Sequence, residues 1–443
     1  MKGIRTFTVI ALVALTVVGW ATFIFGNGSK YLENKSYISI ADQWVEEGLY
    51  QRAILKYKEA LVYDSTEKNW TKMMNAYEMR YAEDVSILSD YITELNNALA
   101  LYPKNVSFVQ KLYELHMVSN DYRSAYACMA TAIENGVTDE KILKQAQELK
   151  YSYDLDYNTY SGFKSISANT YAVAKGTGWG CVDASGELII DYNYPYMSSV
   201  SSDGTRLYDT SLGSRLVDST GLVLGIFSFT VSESGVFSED LIPVLCDGKY
   251  NYYNSFAKEQ FGGYDMAGTF QNGLAAVQQD GKWVLINTSG KEESQEFVDI
   301  VIDSNGLYLM GSVMVAAKED GKYQLFDKNG KSICDFIADN MDFCMSDGWI
   351  AYEKDGKWGY VNTEGKVVIE PQYEEAKSFS YGLAAVCKDG KWGFINTSGE
   401  VVIEYQFAGA DYFNAGGSCM VRCDAPGVED EELWKLLILN LGL

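Results

Sequence analysis

Polar and apolar positions divide the chain into three regimes. Phe7–Phe25 reads FTVIALVALTVVGWATFIF, 19 residues without a charge and without a polar face. That is close to the roughly 20 apolar residues a helix needs to cross a bilayer. From residue 31 to about 150 the spacing is helical. Tyr50, Ala53, Tyr57, Ala60 and Leu61 fall on one face, and Tyr122, Ala125, Met129, Ala132 and Ile133 repeat the set 72 positions later, with Leu95, Ala98 and Leu99 between. From about residue 160 the period becomes that of strands. LAAVCK (383–388), KWGFIN (391–396) and VVIEPQY (367–373) are short apolar or alternating runs, separated by DG and NTSG. DG before an aromatic run predicts a tight hairpin, because glycine accepts positive φ. The pattern predicts a multidomain protein: a transmembrane helix in 1–30, helical repeats over 31–155 and an all-β repeat domain over 160–443.

The β region is periodic at a longer range. An aromatic followed seven positions later by Gly occurs at Trp179, Trp283, Trp358 and Trp392, and at Tyr323. Ser214 keeps the Gly and lacks the aromatic, Tyr250 keeps the aromatic and has Ala257 in place of Gly, and Trp434 opens a half-length last copy. Successive anchors lie 35, 36, 33, 40, 35, 34 and 42 residues apart. Such a period means stacked units that bury their faces on one another. The anchors Trp179, Tyr250, Trp283, Tyr323, Trp358, Trp392 and Trp434 are therefore read as structural, each filling the space between neighbouring meanders. Gly180, Gly359 and Gly393 after the anchor let a backbone or ring approach. Tyr194, Tyr373 and Phe407, fifteen positions on, form a second packing layer. The return segment YEEAKSFSYG supplies a short fourth strand.

Two family resemblances follow from these motifs. The phrase DGKWGFINTSG with its VVIE strand resembles the WG-repeat family, over roughly residues 165–443. That likeness implies a bacterial β-repeat domain, often membrane-anchored, without catalytic residues or a cofactor. A closed propeller of seven to eight blades hides its sheet edges; an open β-solenoid is the alternative. The last copy ends after WKLLILNL, and YNTYSGFKSI (157–166) would complete that blade and close the ring. The helical region resembles tetratricopeptide repeats, whose period is 34 residues, with Tyr91 in the middle repeat where Ala is expected. By that resemblance Lys35 and Asp42 of the first repeat and Gln110 and Glu114 of the third face a peptide groove. The alternative is a helical spacer. Thr138 is read as the cap of a final helix.

Charge narrows the partners. Residues 161–443 carry 20 basic and 40 acidic side chains, a net −20, and residues 31–160 carry 13 and 20, a net −7. Nucleic acid and anionic lipid are disfavoured. Residues 1–30 carry +3, with Lys2 and Arg5 ahead of the apolar run. The positive-inside rule then places the N-terminus in the cytoplasm and residues 31–443 outside.

No catalytic constellation emerges. His116 is the only histidine, with no G-x-S-x-G and no phosphate-binding glycine motif. Each DG turn offers one Asp, too few oxygens for a cation loop. The eight Cys are scattered without a CxxC pair and are read as buried thiols, with a Cys419–Cys423 bridge as the oxidised alternative. The expectation is a non-enzymatic, membrane-anchored interaction or scaffold protein with no cofactor and no metal. It binds a protein or peptide, or a cell-envelope component. Alternatives are a wall-glycan-binding module or hydrolase, with sugars stacked on YNYPYM (192–197) or KYNYYN (249–254), and a structural spacer.

Overall fold

The structure, a computed structural model, describes residues 28–423 and 433–442, with side chains from residue 35 onward. The apolar run Phe7–Phe25 lies outside the described residues. Among the described residues no helix is long and apolar enough to cross a membrane. The chain forms two compact units that meet in sequence between Lys150 and Tyr151.

The first unit is helical: α1 (Gly28–Glu46), α2 (Tyr50–Leu61), α3 (Glu67–Glu83), α4 (Leu88–Leu101), α5 (Val106–Val118), α6 (Tyr122–Glu134) and α7 (Glu140–Lys150). Each packs on the next in chain order. The small residues of the periodic face, Ala53, Ala60, Ala98, Ala125 and Ala132, are buried with Tyr57, Leu95 and Met129. Tyr91 occupies its alanine-like position by stacking flat on Tyr77, centroids 5.3 Å apart and planes within 8°. The cap of α7 is Asp139, whose Oδ1 accepts from the Ile142 N–H at 3.1 Å. This corrects the assignment to Thr138: the carboxylate one residue later reaches the free amide.

The second unit is an eight-bladed β-propeller. Blade 1 spans Gly162–Tyr194, blade 2 Arg206–Ile226, blade 3 Leu241–Tyr264, blade 4 Met266–Asn287, blade 5 Asp299–Phe326, blade 6 Asn340–Tyr373 and blade 7 Glu375–Phe407. Blade 8 joins Gly409–Ala410, Ser418–Arg422 and Trp434–Leu439 to Tyr153–Leu155. That last pairing (Tyr153↔Leu439, Leu155↔Leu437) closes the ring and excludes the open solenoid. The closing strand lies just upstream of the expected segment. Tyr160 inside that segment bridges Trp434, and Gly162–Phe163 already begins blade 1. The domain boundary therefore falls at residue 150 rather than 155, because 153–155 is a strand of the propeller.

Within a blade the DG turn carries two positive φ values, 52° at Asp389 and 70° at Gly390, the requirement of a type I′ hairpin. The anchor pairs with the aromatic fifteen positions on: Trp179↔Tyr194, Trp358↔Tyr373 and Trp392↔Phe407. Directly after the anchor the register slips, because the outer strand bulges inward. A Cβ on Gly393 would stand 2.7 Å from the Ile403 carbonyl oxygen, so only glycine fits there. The return segment is the innermost strand of the following blade, as Glu375–Ala376 pairs with Val386 and Cys387.

The core lies between blades. Trp392, Phe394 and Phe407 of blade 7 pack on Phe413, Cys419 and Leu437 of blade 8. Trp283 and Phe297 pack on Tyr308, Met314 and Phe326 of blade 5. Cys128, Cys181, Cys246, Cys334, Cys344, Cys387 and Cys419 are free thiols. Cys419 donates to the Asp411 carbonyl at 3.0 Å, so the Cys419–Cys423 bridge does not form.

Candidate functional site

Of the four expected groove residues, only Gln110 and Glu114 touch each other. Lys35 is exposed. Asp42 accepts from the Tyr57 hydroxyl at 2.6 Å and pairs with Lys72, tying α1 to α2 and α3. Gln110 donates to Glu114 at 3.0 Å within α5. A cleft of 640 Å³ between α4, α5 and α6 is lined by Asn96, Leu99, Leu112, His116, Cys128 and Thr131, and by none of these four. His116 has its Nδ1 3.6 Å from Asp121, and burial holds its pKa below the ordinary value. Among the described residues no group of three or more His, Cys, Asp or Glu is placed to hold a metal ion.

Six of the seven anchors are buried or pack in interblade layers. Tyr250, Trp283 and Trp392 are buried. Tyr323, Trp358 and Trp434 are half-buried but pack in interblade layers. Trp179 is half-buried and belongs to no such layer; it meets Tyr196 at 6.2 Å and lines a cleft of 460 Å³. The cleft is walled by Phe163, Lys164, Trp179, Tyr196, Asp209 and Glu233, together with Ser304.

The broken repeat explains the cleft. Blade 2 has Ser214 at its anchor position, fully buried. Its hydroxyl donates to Asp209 at 2.8 Å and accepts from the Val231 N–H at 2.7 Å. A polar lock thus replaces an indole, and the inner strand of this blade is reduced to the bridge Met197↔Tyr208. Lys164 lies over the Tyr196 ring at 5.5 Å and donates to the Ser234 carbonyl at 3.4 Å. Of the tyrosine-rich phrases, KYNYYN has Tyr250, Tyr252 and Tyr253 buried, which removes them as a stacking platform for sugars. YNYPYM contributes Tyr196 to the cleft wall.

A second cluster occupies the centre of the ring. One residue past the inner strands of blades 1, 6, 7 and 8 stand Lys164, Asp342, Lys377 and Asp411. Asp342 accepts from the Tyr412 hydroxyl and the Ser378 N–H, both at 2.7 Å. The Lys377 ammonium lies 5.1 Å from the Tyr412 ring centre. Burial, which alone would lower it, is outweighed by Asp342 and Asp411, so Lys377 is held above the usual lysine range. Burial pushes Asp411 up to about 6 against the pull of Lys377. Burial also pushes Asp303 up to about 6, against hydrogen bonds from the Leu307 and Asn305 amides. The loop after Asp303 crosses to blade 1: Ser304 Oγ accepts from the Ser165 N–H at 2.6 Å, and Asn305 donates to the Ser165 carbonyl at 2.9 Å. Neither the cleft nor this cluster is anticipated by the sequence reading. The available signals are the lone serine among aromatic anchors and the charged residues at one phase of the repeat.

Comparison with known proteins bears on the repeat. The model described as "WG containing repeat" matches residues 179–205, 263–283, 358–392 and 392–424. Nothing matches among curated protein sequences. Similar solved structures include a eukaryotic initiation factor (13% identity, TM-score 0.41, covering 66% of this chain and 88% of that one). Hsv2p of Kluyveromyces lactis is 9% identical, with a TM-score of 0.35, covering 65% and 99%. The first TPR of Spaghetti (RPAP3) bound to an HSP90 peptide is 13% identical, with a TM-score of 0.21, covering 26% and 89%. At these scores none of the three bears on function.

Proposed function

We propose that the protein is an interaction scaffold that seats a polypeptide partner on its propeller, in the cleft beside blade 1. The observation that carries this reading is Trp179. It is a half-buried repeat anchor that lines a cleft, where the buried Trp283 and Trp392 pack into interblade layers. Exposed aromatic surface walled by a few fixed polar groups is the usual composition of a recognition site. In the same proposal the apolar run Phe7–Phe25 holds the scaffold in a membrane with residues 31–443 outside. The helix pairs, read as tetratricopeptide-like, offer Lys35, Asp42, Gln110 and Glu114 to a second peptide or act as a spacer. Protease added to intact cells then removes residues 31–443; protection until the membrane is breached refutes the orientation.

The test of the cleft is site-specific photocrosslinking in cells producing the full chain. A crosslinking residue at Ser232, exposed on the cleft lip, captures a partner. One at Lys328, exposed just after blade 5, does not. Trp179→Ala abolishes the capture. Equal capture at both positions, or capture indifferent to Trp179→Ala, refutes the reading, and capture of wall glycan alone replaces it with the glycan-binding one.

A further inference from the structure

The cleft holds a carboxylate that has no ion-pair partner among the described residues. Asp209 is 5% exposed. Its side chain has one hydrogen bond among the described residues, from the neutral Ser214 hydroxyl at 2.8 Å. Among the described residues, Lys249 pairs with Asp265, Lys282 with Glu296, Lys291 with Glu293 and Lys322 with Asp339, and Asp209 is in none of these ion pairs. The arginines of its own blade stand elsewhere. Leu207 pairs with Leu216 and Tyr208 with Arg215, so alternation puts Arg206 and Arg215 on the sheet face opposite Asp209 and Ser214. A buried charge left unpaired is strongly unfavourable. A pairing cation from outside the chain recovers that energy.

The rest of the cleft suits a long cationic side chain. Glu233 adds a second carboxylate on the exposed lip. Trp179, Pro195 and Tyr196 give apolar and π surface for an aliphatic stem and a cationic head. Lys164, the one cation in the lining, is directed at the Ser234 carbonyl and the Tyr196 face. The lining therefore carries one positive and two negative charges, in a propeller of net −20.

We infer that the cleft is a receptor for an arginine or lysine side chain of a polypeptide partner, its charged end on Asp209 and Glu233 and its stem against Trp179. This rests on the scaffold reading above and specifies the partner's chemistry. Capped pentapeptides Ala-Ala-Xaa-Ala-Ala, with Xaa as Arg, Lys or Gln, are titrated into the purified full chain by calorimetry at low ionic strength. The Arg and Lys peptides bind, and the Gln peptide binds at least tenfold more weakly, tenfold corresponding to ~1.4 kcal/mol. Asp209→Asn and Glu233→Gln each weaken the Arg peptide about tenfold, and the thermal unfolding of both variants checks that they fold. Glu233, at the exposed lip, keeps the test valid if Asp209→Asn does not fold. Equal binding of the Gln peptide, or no binding of any peptide at millimolar concentration, overturns the inference. Free arginine or spermidine binding as tightly as the peptide overturns the polypeptide source. A partner still crosslinked at Ser232 in the double variant leaves the scaffold standing and removes only the basic side chain.

Discussion

Replacing Asp411 by Asn tests the electrostatics of the ring centre. In the native chain burial raises this carboxyl from 3.8 to about 6. The folded state therefore holds the proton more tightly than the unfolded one. Its contribution to stability is fully present below pH ~4, declines as pH rises to about 6 and is constant above that. At 1.36 kcal/mol per pKa unit the decline is on the order of 3 kcal/mol. Asn cannot ionise, so the variant loses this slope. The stability difference, variant minus wild type, should grow in favour of the variant by ~2 kcal/mol between pH 4 and pH 6, most of the total. The Asp411 charge also helps to raise Asp303, so its removal lessens the Asp303 slope and adds to the difference in the same direction. Carboxylates held low, such as Asp265 beside Lys249, Asp339 beside Lys322 and Asp218 under Thr220, titrate below this window and cancel in the difference. The assay is urea unfolding followed by tryptophan fluorescence, since six of the nine tryptophans lie between residues 179 and 434. A difference that stays flat from pH 4 to 6 refutes the argument, as does one that grows in favour of the wild type.

Further outcomes are expected elsewhere. Trp283→Ala, at a buried anchor, costs about 3–5 kcal/mol of propeller stability, whereas Trp179→Ala costs about 1, measured by the same unfolding. Gly393→Ala pushes a methyl to 2.7 Å from the Ile403 carbonyl oxygen and lowers stability by about 2 kcal/mol or more, and Ala at the neighbouring turn residue Ser398 is nearly neutral. Burial pushes the Cys128 and Cys344 thiols up to about 12, so both resist alkylation at pH 8 until the chain is unfolded, as mass spectrometry of labelled peptides will show.

Much of the propeller is legible in the sequence because its signals are local. The Asp-Gly hairpin, the anchor, the glycine after it and the aromatic fifteen positions on each have a backbone cause that one copy displays. Even the ring closure follows from counting strands in the half-length copy at Trp434, although the closing strand sits a few residues upstream of YNTYSGFKSI. What was not legible depends on relations between copies. Asp209 reads as an ordinary surface acid until Ser214 and Val231 are folded around it. Asp303, Asp342, Lys377 and Asp411 are separated by 39, 35 and 34 residues and meet only because the ring brings successive inner strands to one axis. Asp42, a groove residue by the tetratricopeptide resemblance, accepts from Tyr57 and pairs with Lys72 on neighbouring helices, contacts that no single repeat displays.

The strand Tyr153–Leu155 has a consequence for how the molecule is assembled and loaded. Its partner, Trp434–Leu439, follows every other described strand of the ring in chain order and is synthesised after them. Until then the nascent propeller is an open arc with two unsatisfied sheet edges, the kind of edge that recruits foreign strands. The waiting strand is also the segment through which the helical unit is joined to the ring. Tension along the chain from the N-terminal side therefore bears first on three residue pairs, Tyr153–Leu439, Asp154–Ile438 and Leu155–Leu437. They act as a clasp, and pulling it open exposes the edge of blade 8 before any other blade is disturbed.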